Sequence, residues 1–386
     1  MRILYPVGEV FPSPTARSIQ IMNTCAALAR RGNQVFLLLG KKRGIDAARL
    51  LEYYGLLPTP GLEIEFLPIL RPSGQRVWRP SWGGLFLFFC RRRLVRLLAD
   101  STGKKDTVVF VRHLKLAVNL RRKYKKLLET PLIFEAHEIF SHEKPAGSRL
   151  RTLEERAYGG VDGVVAITAH LARMIVETFS VRVPTAVVPD GTRLFTLSPL
   201  NSQTPARIVY SGQLYEWKGV DCLLQAMAEV PGARLAILGG GAGGAEQLQR
   251  KARSLGIEDR LDFLGQVPHR EVVKSLREAD VFVLPASGSP ISRFWTSPLK
   301  LFEYMAAGRP VVASDLPSLR EILRHEENAL LVEPGNPRAL AAAINRILAD
   351  RGLAQRLAGQ ALADVREYTW DARAERLERF FAELLT

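Results

Sequence analysis

The chain has 386 residues, 47% of them hydrophobic and 24% charged, with 54 Lys+Arg against 39 Asp+Glu and a net charge of +15. That length gives room for two domains with cores of their own, and the composition excludes the disordered and fibrous classes. Three scattered cysteines (Cys25, Cys90, Cys222) exclude a disulfide framework or cysteine metal site and fit a reducing compartment, while no apolar run reaches the ~20 residues that span a bilayer.

Strand-like apolar runs alternate with helical patterns along the whole chain, the mark of parallel α/β architecture. The first, Ile3–Val7, follows Met1-Arg2 directly and reads as a strand rather than a signal peptide, so a cytoplasmic location is expected. Ser18–Arg31 then reads as a helix with Ile19, Met22, Ala26 and Ala29 on one face. Further strands are predicted at Val35–Gly40, Leu62–Pro68, Val108–Val111, Leu132–Ala136, Val164–Thr168 and Ala186–Pro189. A polar stretch from Phe195 to Pro205 reads as a linker. A second set follows at Ile208–Gly212, Leu235–Gly239, Asp262–Gly265, Val281–Pro285, Val311–Ser314 and Leu330–Val332. Two Rossmann-like sets imply two domains, 1–197 and 198–367, with residues 368–386 as a final amphipathic helix (Trp370, Ala374, Leu377, Phe380, Phe381, Leu384). The basic excess belongs wholly to the first half: residues 1–195 hold 31 Lys+Arg against 16 Asp+Glu, and residues 196–386 hold 23 against 23. That half is expected to face something anionic.

Several stretches have the chemistry of a binding site. Gly8–Ala16 follows the first strand, where open parallel sheets bind ligands; an ordinary strand–helix connection fits equally. Leu132–Glu138 is a strand that ends in charge, and His137 there is placed for function, or else is satisfied by Glu135 or Glu138. Trp78–Asp100 combines two tryptophans, a compact apolar run and Arg91, Arg92, Arg93 and Arg96. It reads as an interfacial helix for an anionic membrane surface, the alternative being a core helix with a solvated basic edge. Val209–Gly219 ends a strand at Gly212 and sets Lys218 before a helix, a point charge suited to phosphate; a solvated surface lysine is the plainer reading. Gly239–Gly244 is read as a tight reversal of the chain rather than a phosphate loop.

The richest stretch is Ser297–Ser314, Ser-Pro-Leu-Lys-Leu-Phe-Glu-Tyr-Met-Ala-Ala-Gly-Arg-Pro-Val-Val-Ala-Ser. Ser297 is an expected N-cap, Pro298 suits the first helical turn, Gly308 stops the helix, and Val311–Ala313 is a buried strand. The amides of Leu299 and Lys300 then form an anion site at the helix start, with the Glu303 carboxylate one turn behind. Phosphate cradle and carboxylate together suit a nucleotide, whose ribose offers two hydroxyls to Glu303.

This stretch resembles the signature of family 4 glycosyltransferases: two glutamates separated by seven residues, then Met-Ala-x-Gly-x-Pro-Val-Val-Ala. Glu303 is the second glutamate, and the place of the first holds Trp295. The resemblance implies the GT-B fold, with two Rossmann-like domains whose parallel sheets face a central cleft and a last helix that crosses back to the first domain. It implies transfer of a sugar from a UDP- or GDP-sugar with retention of configuration and no obligatory metal. No Asp-x-Asp tripeptide for a metal–diphosphate pair is present. By the same resemblance Gly8 approaches the diphosphate and His137 lies beside the sugar. Gly212, Gln213 and Lys218 form the diphosphate grip, with Gln213 where an arginine is usual and Lys300 or Arg293 as substitutes. Val267 meets the base through its backbone, and Trp295 lies where the sugar should sit, to stack on a sugar face or a base or simply to fill the space the glutamate left. The acceptor is then expected to be a lipid-linked or cell-surface glycan, with contact at the inner membrane face and no nucleic acid. The competing reading is a catalytically weakened sugar-nucleotide-binding or polyanion-binding protein on the same fold.

Overall fold

The computed structural model describes residues 1–41, 44–69, 82–99, 106–123, 129–194, 205–240, 242–266, 269–295 and 297–386. The strands in chain order are β1 (Arg2–Val10), β2 (Gln34–Gly40), β3 (Leu62–Leu67), β4 (Thr107–Val111), β5 (Leu132–Ala136), β6 (Gly163–Ala166) and β7 (Thr185–Val187). They continue with β8 (Ala206–Ser211), β9 (Ala233–Leu238), β10 (Leu261–Gly265), β11 (Val281–Leu284), β12 (Val311–Ser314) and β13 (Leu330–Val332). The helices that bear on function are α1 (Ala16–Arg30), α2 (Trp82–Ala99), α3 (Arg149–Tyr158), α4 (Val220–Ala228), α5 (Leu299–Ala306) and α6 (Trp370–Glu383).

Two compact units result: Met1–Pro189 together with Trp370–Thr386, and Asp190–Thr369. The change-over therefore falls at Pro189/Asp190, earlier than the 197/198 read from the sequence. Hydrogen bonding decides it. Val188 still bonds to Ala166 of β6, whereas the Thr192 amide donates to the Tyr368 carbonyl at 2.9 Å. Residues 195–204, the expected linker, lie outside the described residues.

The first unit holds a seven-stranded sheet in the order β3-β2-β1-β4-β5-β6-β7, the second a six-stranded sheet in the order β10-β9-β8-β11-β12-β13. Every pairing is parallel. Strands such as β4 (TVVFV), β11 (VFVL) and β12 (VVAS) are buried along their whole length. A strand covered by helices on both faces must be apolar at every position, which explains why these runs stand out in the sequence. In both units the strand order reverses beside the first strand, between β1 and β4 and between β8 and β11. Ligands of open parallel sheets bind just beyond the carboxyl ends at that point.

The second unit has two core layers that follow the alternation of its strands. Ile208 and Tyr210 face one layer with Leu223 and Leu224 of α4, and Val209 faces the other with Leu301, Phe302 and Met305 of α5. In the first unit α6 packs its Trp370, Ala374, Leu377, Phe380 and Phe381 face inward, all buried. The Thr15 hydroxyl accepts from Ser18, so α1 begins at Ala16, two residues before the predicted start. Among the described residues no helix is long and apolar enough to cross a membrane.

Candidate active site

The second unit gathers most of the predicted residues at the end of β8. Gly212 has φ 136°, and a Cβ there would lie 3.3 Å from the Lys300 Nζ, so the backbone stays bare where that ammonium arrives. Lys218 closes a single 3-10 turn, Glu216–Lys218, and the next residue, Gly219, has φ 71°. A Cβ on Gly219 would sit 1.7 Å from the Pro285 carbonyl oxygen. Only glycine lets this turn press against the end of β11 and carry Lys218 into the pocket. The Trp217 carbonyl accepts from the Ser287 amide (3.0 Å) and the Ser292 hydroxyl (3.1 Å), which ties the turn to the loop before α5.

Lys218 and Lys300 line the same pocket, with Trp217, Pro285, Ser292 and Pro298. Each ammonium rests on an aromatic face: Lys218 Nζ is 3.8 Å from the Trp217 ring centre, and Lys300 Nζ is 3.8 Å from that of Tyr210. Such contacts are worth up to about 2 kcal/mol when desolvated. Among the described residues neither ammonium lies within ion-pair distance of a carboxylate. Burial pushes the Lys218 amine down to about 8. Lys300 is pushed well below its ordinary value, by burial first and then by the like charge of Lys218, against the pull of Glu303. Glu303 is pushed up to about 7 by burial, with Lys300 acting in the opposite sense. A pocket lined by two cations and, among the described residues, no carboxylate is under-supplied with negative charge, and a phosphate would relieve it.

Helix α5 differs from the expectation at its start. Its N-cap is Pro298, with φ −75° and ψ 118°, and no side chain caps it. Proline stands just outside the helix, so Ser297 is displaced from the capping position; its hydroxyl is buried and has no hydrogen-bond partner among the described residues. The first helical bond runs from the Leu301 amide to the Pro298 carbonyl at 2.8 Å, leaving Leu299 and Lys300 as first-turn amides that the helix itself does not satisfy. The Tyr304 hydroxyl accepts from the Ser211 amide at 2.7 Å and its ring stacks on Phe282, which fixes α5 against β8 and β11.

The other predicted donor contacts vary. Gln213 is exposed, and its backbone carbonyl accepts from the Tyr210 hydroxyl at 2.7 Å. Of the two suggested replacements for its missing charge, Lys300 stands at Gly212, while Arg293 is exposed over Phe294. Trp295 is buried at 6% exposure and packs within the unit rather than offering an open ring face. Val267 lies outside the described residues. Gly239 and Gly240 have φ 109° and 80°; Cβ atoms there would meet the Gly212 carbonyl at 2.4 Å and Leu214 at 2.3 Å, so they are glycine for close packing.

In the first unit, Gly8 lies inside β1, which runs on to Val10 through a register shift, and not in the loop beyond it. A Cβ there would touch Phe86 at an ordinary 3.6 Å, so the fold itself does not demand glycine. His137 follows β5, half-buried, with Nε2 3.2 Å from Glu135 Oε1. Burial and then Arg112 push its pKa down to about 3, so it is neutral at physiological pH. Burial alone would raise the Glu135 carboxyl; His137, Arg373 and Arg112 outweigh that and hold it below the usual range. Sequence reasoning missed Arg373, which is 1% exposed and donates to Glu135. Its signal was present, a cation inside the apolar stripe of α6 between Trp370 and Ala374.

The arginine-rich stretch has a core side and an exposed side. The apolar residues Phe86, Cys90, Leu94, Leu97 and Leu98 of α2 are buried in the unit, as a core helix requires. Arg93 pairs with Glu65 at 2.5 Å and Arg91 donates to Asn119 at 3.0 Å, while Arg92 and Arg96 are exposed in line with exposed Phe88. Trp78 lies outside the described residues. Among the described residues no three His, Cys, Asp or Glu side chains converge on a metal position.

Two parallel sheets with this strand order, one per unit, define the GT-B class. The profile Glycosyltransferase Family 4 matches residues 18–194, and Glycosyl transferases group 1 matches residues 205–350. The chain belongs to this glycosyltransferase family. It is 30% identical over 251 residues to a D-inositol 3-phosphate glycosyltransferase of Xylanimonas cellulosilytica, covering 60% of this chain and 59% of that one. The matched stretches span only 41%, 59% and 24% of the first three curated relatives. In three dimensions it is similar to the sucrose-phosphate synthase of Thermosynechococcus elongatus (TM-score 0.75, 20% identity, 99% and 98% of the two chains). It is also similar to Anabaena HepE in complex with UDP (TM-score 0.71, 19% identity, 99% and 100%).

Proposed function

We propose that the protein transfers a sugar from a UDP- or GDP-sugar to a hydroxyl of an anionic or lipid-linked glycan acceptor, with retention at the anomeric carbon. The observation that carries this reading is the pair of half-buried ammonium groups, Lys218 and Lys300, facing one pocket beside the first-turn amides of α5, with no ion-paired carboxylate among the described residues. When the bond from the anomeric carbon to the diphosphate breaks, negative charge grows on the departing oxygen, and preformed cations and amides stabilise it without reorganising. Glu303 accepts from the ribose hydroxyls, and Ser297, with its buried unpartnered hydroxyl, adds a donor to the same anion. His137 serves the sugar as a neutral group. The UDP in the similar HepE complex makes UDP the first nucleotide to test.

The acceptor reading draws on the +15 net charge of residues 1–195 and on the phosphorylated inositol in the name of a relative. Peripheral binding at a cytoplasmic anionic leaflet is carried by Arg92 and Arg96 beside Phe88, each cation near such a surface contributing roughly 1 kcal/mol. The deciding experiment is calorimetric titration of the full chain with UDP, GDP and their sugar conjugates. One nucleoside diphosphate should bind and lose most of its affinity in Lys300→Met. Absence of binding by both at millimolar concentration would remove the donor assignment.

A further inference from the structure

Three walls of the pocket that holds Lys218 come from separate stretches of the chain: Trp217 and Lys218 themselves, Ser292 of the loop before α5, and Leu316 and Leu319 at the short helix Pro317–Arg320. A line of serines joins them. The Ser318 hydroxyl donates to the Ser292 carbonyl at 2.7 Å. The Ser292 hydroxyl donates to the Trp217 carbonyl at 3.1 Å and accepts from the Ser289 hydroxyl at 3.2 Å. A carbonyl can only accept, so each hydroxyl has its direction fixed, from Ser289 through Ser292 to Trp217 and from Ser318 to Ser292. Ser292 and Ser318 are each 1% exposed, so bulk water does not compete for these bonds, and a lost partner leaves a buried polar group unsatisfied.

We propose that Ser318 is a positioning residue: through Ser292 it holds the Trp217 carbonyl, and with it the turn that carries the Lys218 ammonium to its place over the Trp217 ring. Glu216–Lys218 is one 3-10 turn with no side-chain cap, so the anchors on its backbone decide where the lysine stem starts. Those anchors are the Ser292 hydroxyl and the Ser287 amide, both on the Trp217 carbonyl. Removing the Ser318 hydroxyl frees the Ser292 carbonyl and lets the π-helical turn Ile291–Trp295 shift, which draws the Ser292 hydroxyl off Trp217. Lys218 then leaves the ring for water, and a preset cation is lost to the donor phosphate. That last consequence rests on the proposed phosphate role of Lys218; the coupling of Ser318 to Lys218 does not.

The test is 1H–13C correlation on unliganded full-length protein carrying 13C-lysine, with the Lys218 ε-methylene assigned by the signal lost in Lys218→Met. In the wild type that methylene should be shifted upfield, since its ammonium is 3.8 Å from the Trp217 ring centre, and should titrate at about 8. Ser318→Ala should move it towards the position of an ordinary lysine and raise the midpoint towards 10.5. Ser292→Ala, which removes the next link, should do the same. In calorimetric titration with UDP, Ser318→Ala should weaken binding roughly 3- to 10-fold, the range of one hydrogen bond. Where Lys218 is already methionine, the further loss should be less than about 2-fold. An unmoved Lys218 signal in Ser318→Ala, or the full further loss in the Lys218→Met background, overturns the inference, and Ser292→Ala decides alone if Ser318→Ala does not fold. Absence of UDP and GDP binding by the wild type would end the phosphate role while the methylene shift still decides the coupling, so the two failures are told apart.

Discussion

Replacing Lys218 with methionine should make the protein more stable and worse at binding its donor. Methionine keeps the length and apolar stem of lysine but carries no charge. In the free protein the ammonium sits in a half-buried pocket, held down from the ordinary lysine range to about 8. A drop from 10.5 to about 8 is equivalent to roughly 3 kcal/mol against folding at neutral pH. The cation–π contact with Trp217 returns about 1 kcal/mol of that. The sign follows from a folded pKa below the unfolded one: the penalty is complete below about pH 8 and fades as pH rises to the unfolded value. Lys218→Met should therefore gain about 1–2 kcal/mol at pH 7, a rise of roughly 2–8 °C in Tm for a domain of this size. The gain should shrink between pH 8 and 10. Donor affinity moves the other way, since a charge-assisted bond to phosphate is worth about 1.5–3 kcal/mol, or roughly 10- to 150-fold. Differential scanning calorimetry across pH and calorimetric titration with UDP measure both. An unchanged or lower Tm together with unchanged UDP affinity would refute the placement of this cation in an anion-hungry pocket.

Other outcomes follow from the same geometry. Glu303→Ala should weaken UDP binding about tenfold or more while the melting temperature holds or rises, because a carboxyl pushed up to about 7 by burial costs stability above its unfolded pKa; equal affinity for UDP would end the ribose role. Gly219→Ala adds a Cβ 1.7 Å from the Pro285 oxygen at φ 71°, and should cost more than about 2 kcal/mol and abolish nucleotide binding, as read by thermal melting and titration. The pair Arg92→Ser and Arg96→Ser should reduce sedimentation with phosphatidylserine vesicles severalfold, and Arg91→Ser with Arg93→Ser should do so less, because those two are engaged inside the unit. Equal retention by both pairs would exclude α2 as the membrane face.

Much of the fold was legible because parallel strands buried on both faces are written as unbroken apolar runs, and helices between them as periodic ones. Local chemistry was readable where one stretch contains it, as at α5 and its Glu303. Its starting residue was not: Ser297 and Pro298 each suit a helix start, and the extended backbone of Pro298 settles the competition one position later. The meeting of Lys218 and Lys300 was expected only through the family resemblance, because nothing local in either stretch records which ring, Trp217 or Tyr210, lies beneath each ammonium. The apolar face of α2 was real, but periodicity does not say whether protein or lipid covers it. Trp295, where a glutamate was expected, is accommodated by burial, which the sequence could not distinguish from an exposed stacking ring.

The shared ownership of the first unit by both chain ends bears on how the protein is made. During synthesis the second unit, Asp190–Thr369, emerges whole before residue 373 leaves the ribosome. Until then Glu135 lacks its guanidinium, and a buried carboxylate without its partner costs roughly 3–5 kcal/mol. The segment translated first is thus the last to be completed, and a nascent chain stalled short of α6 should carry a protease-resistant second unit behind a protease-sensitive first.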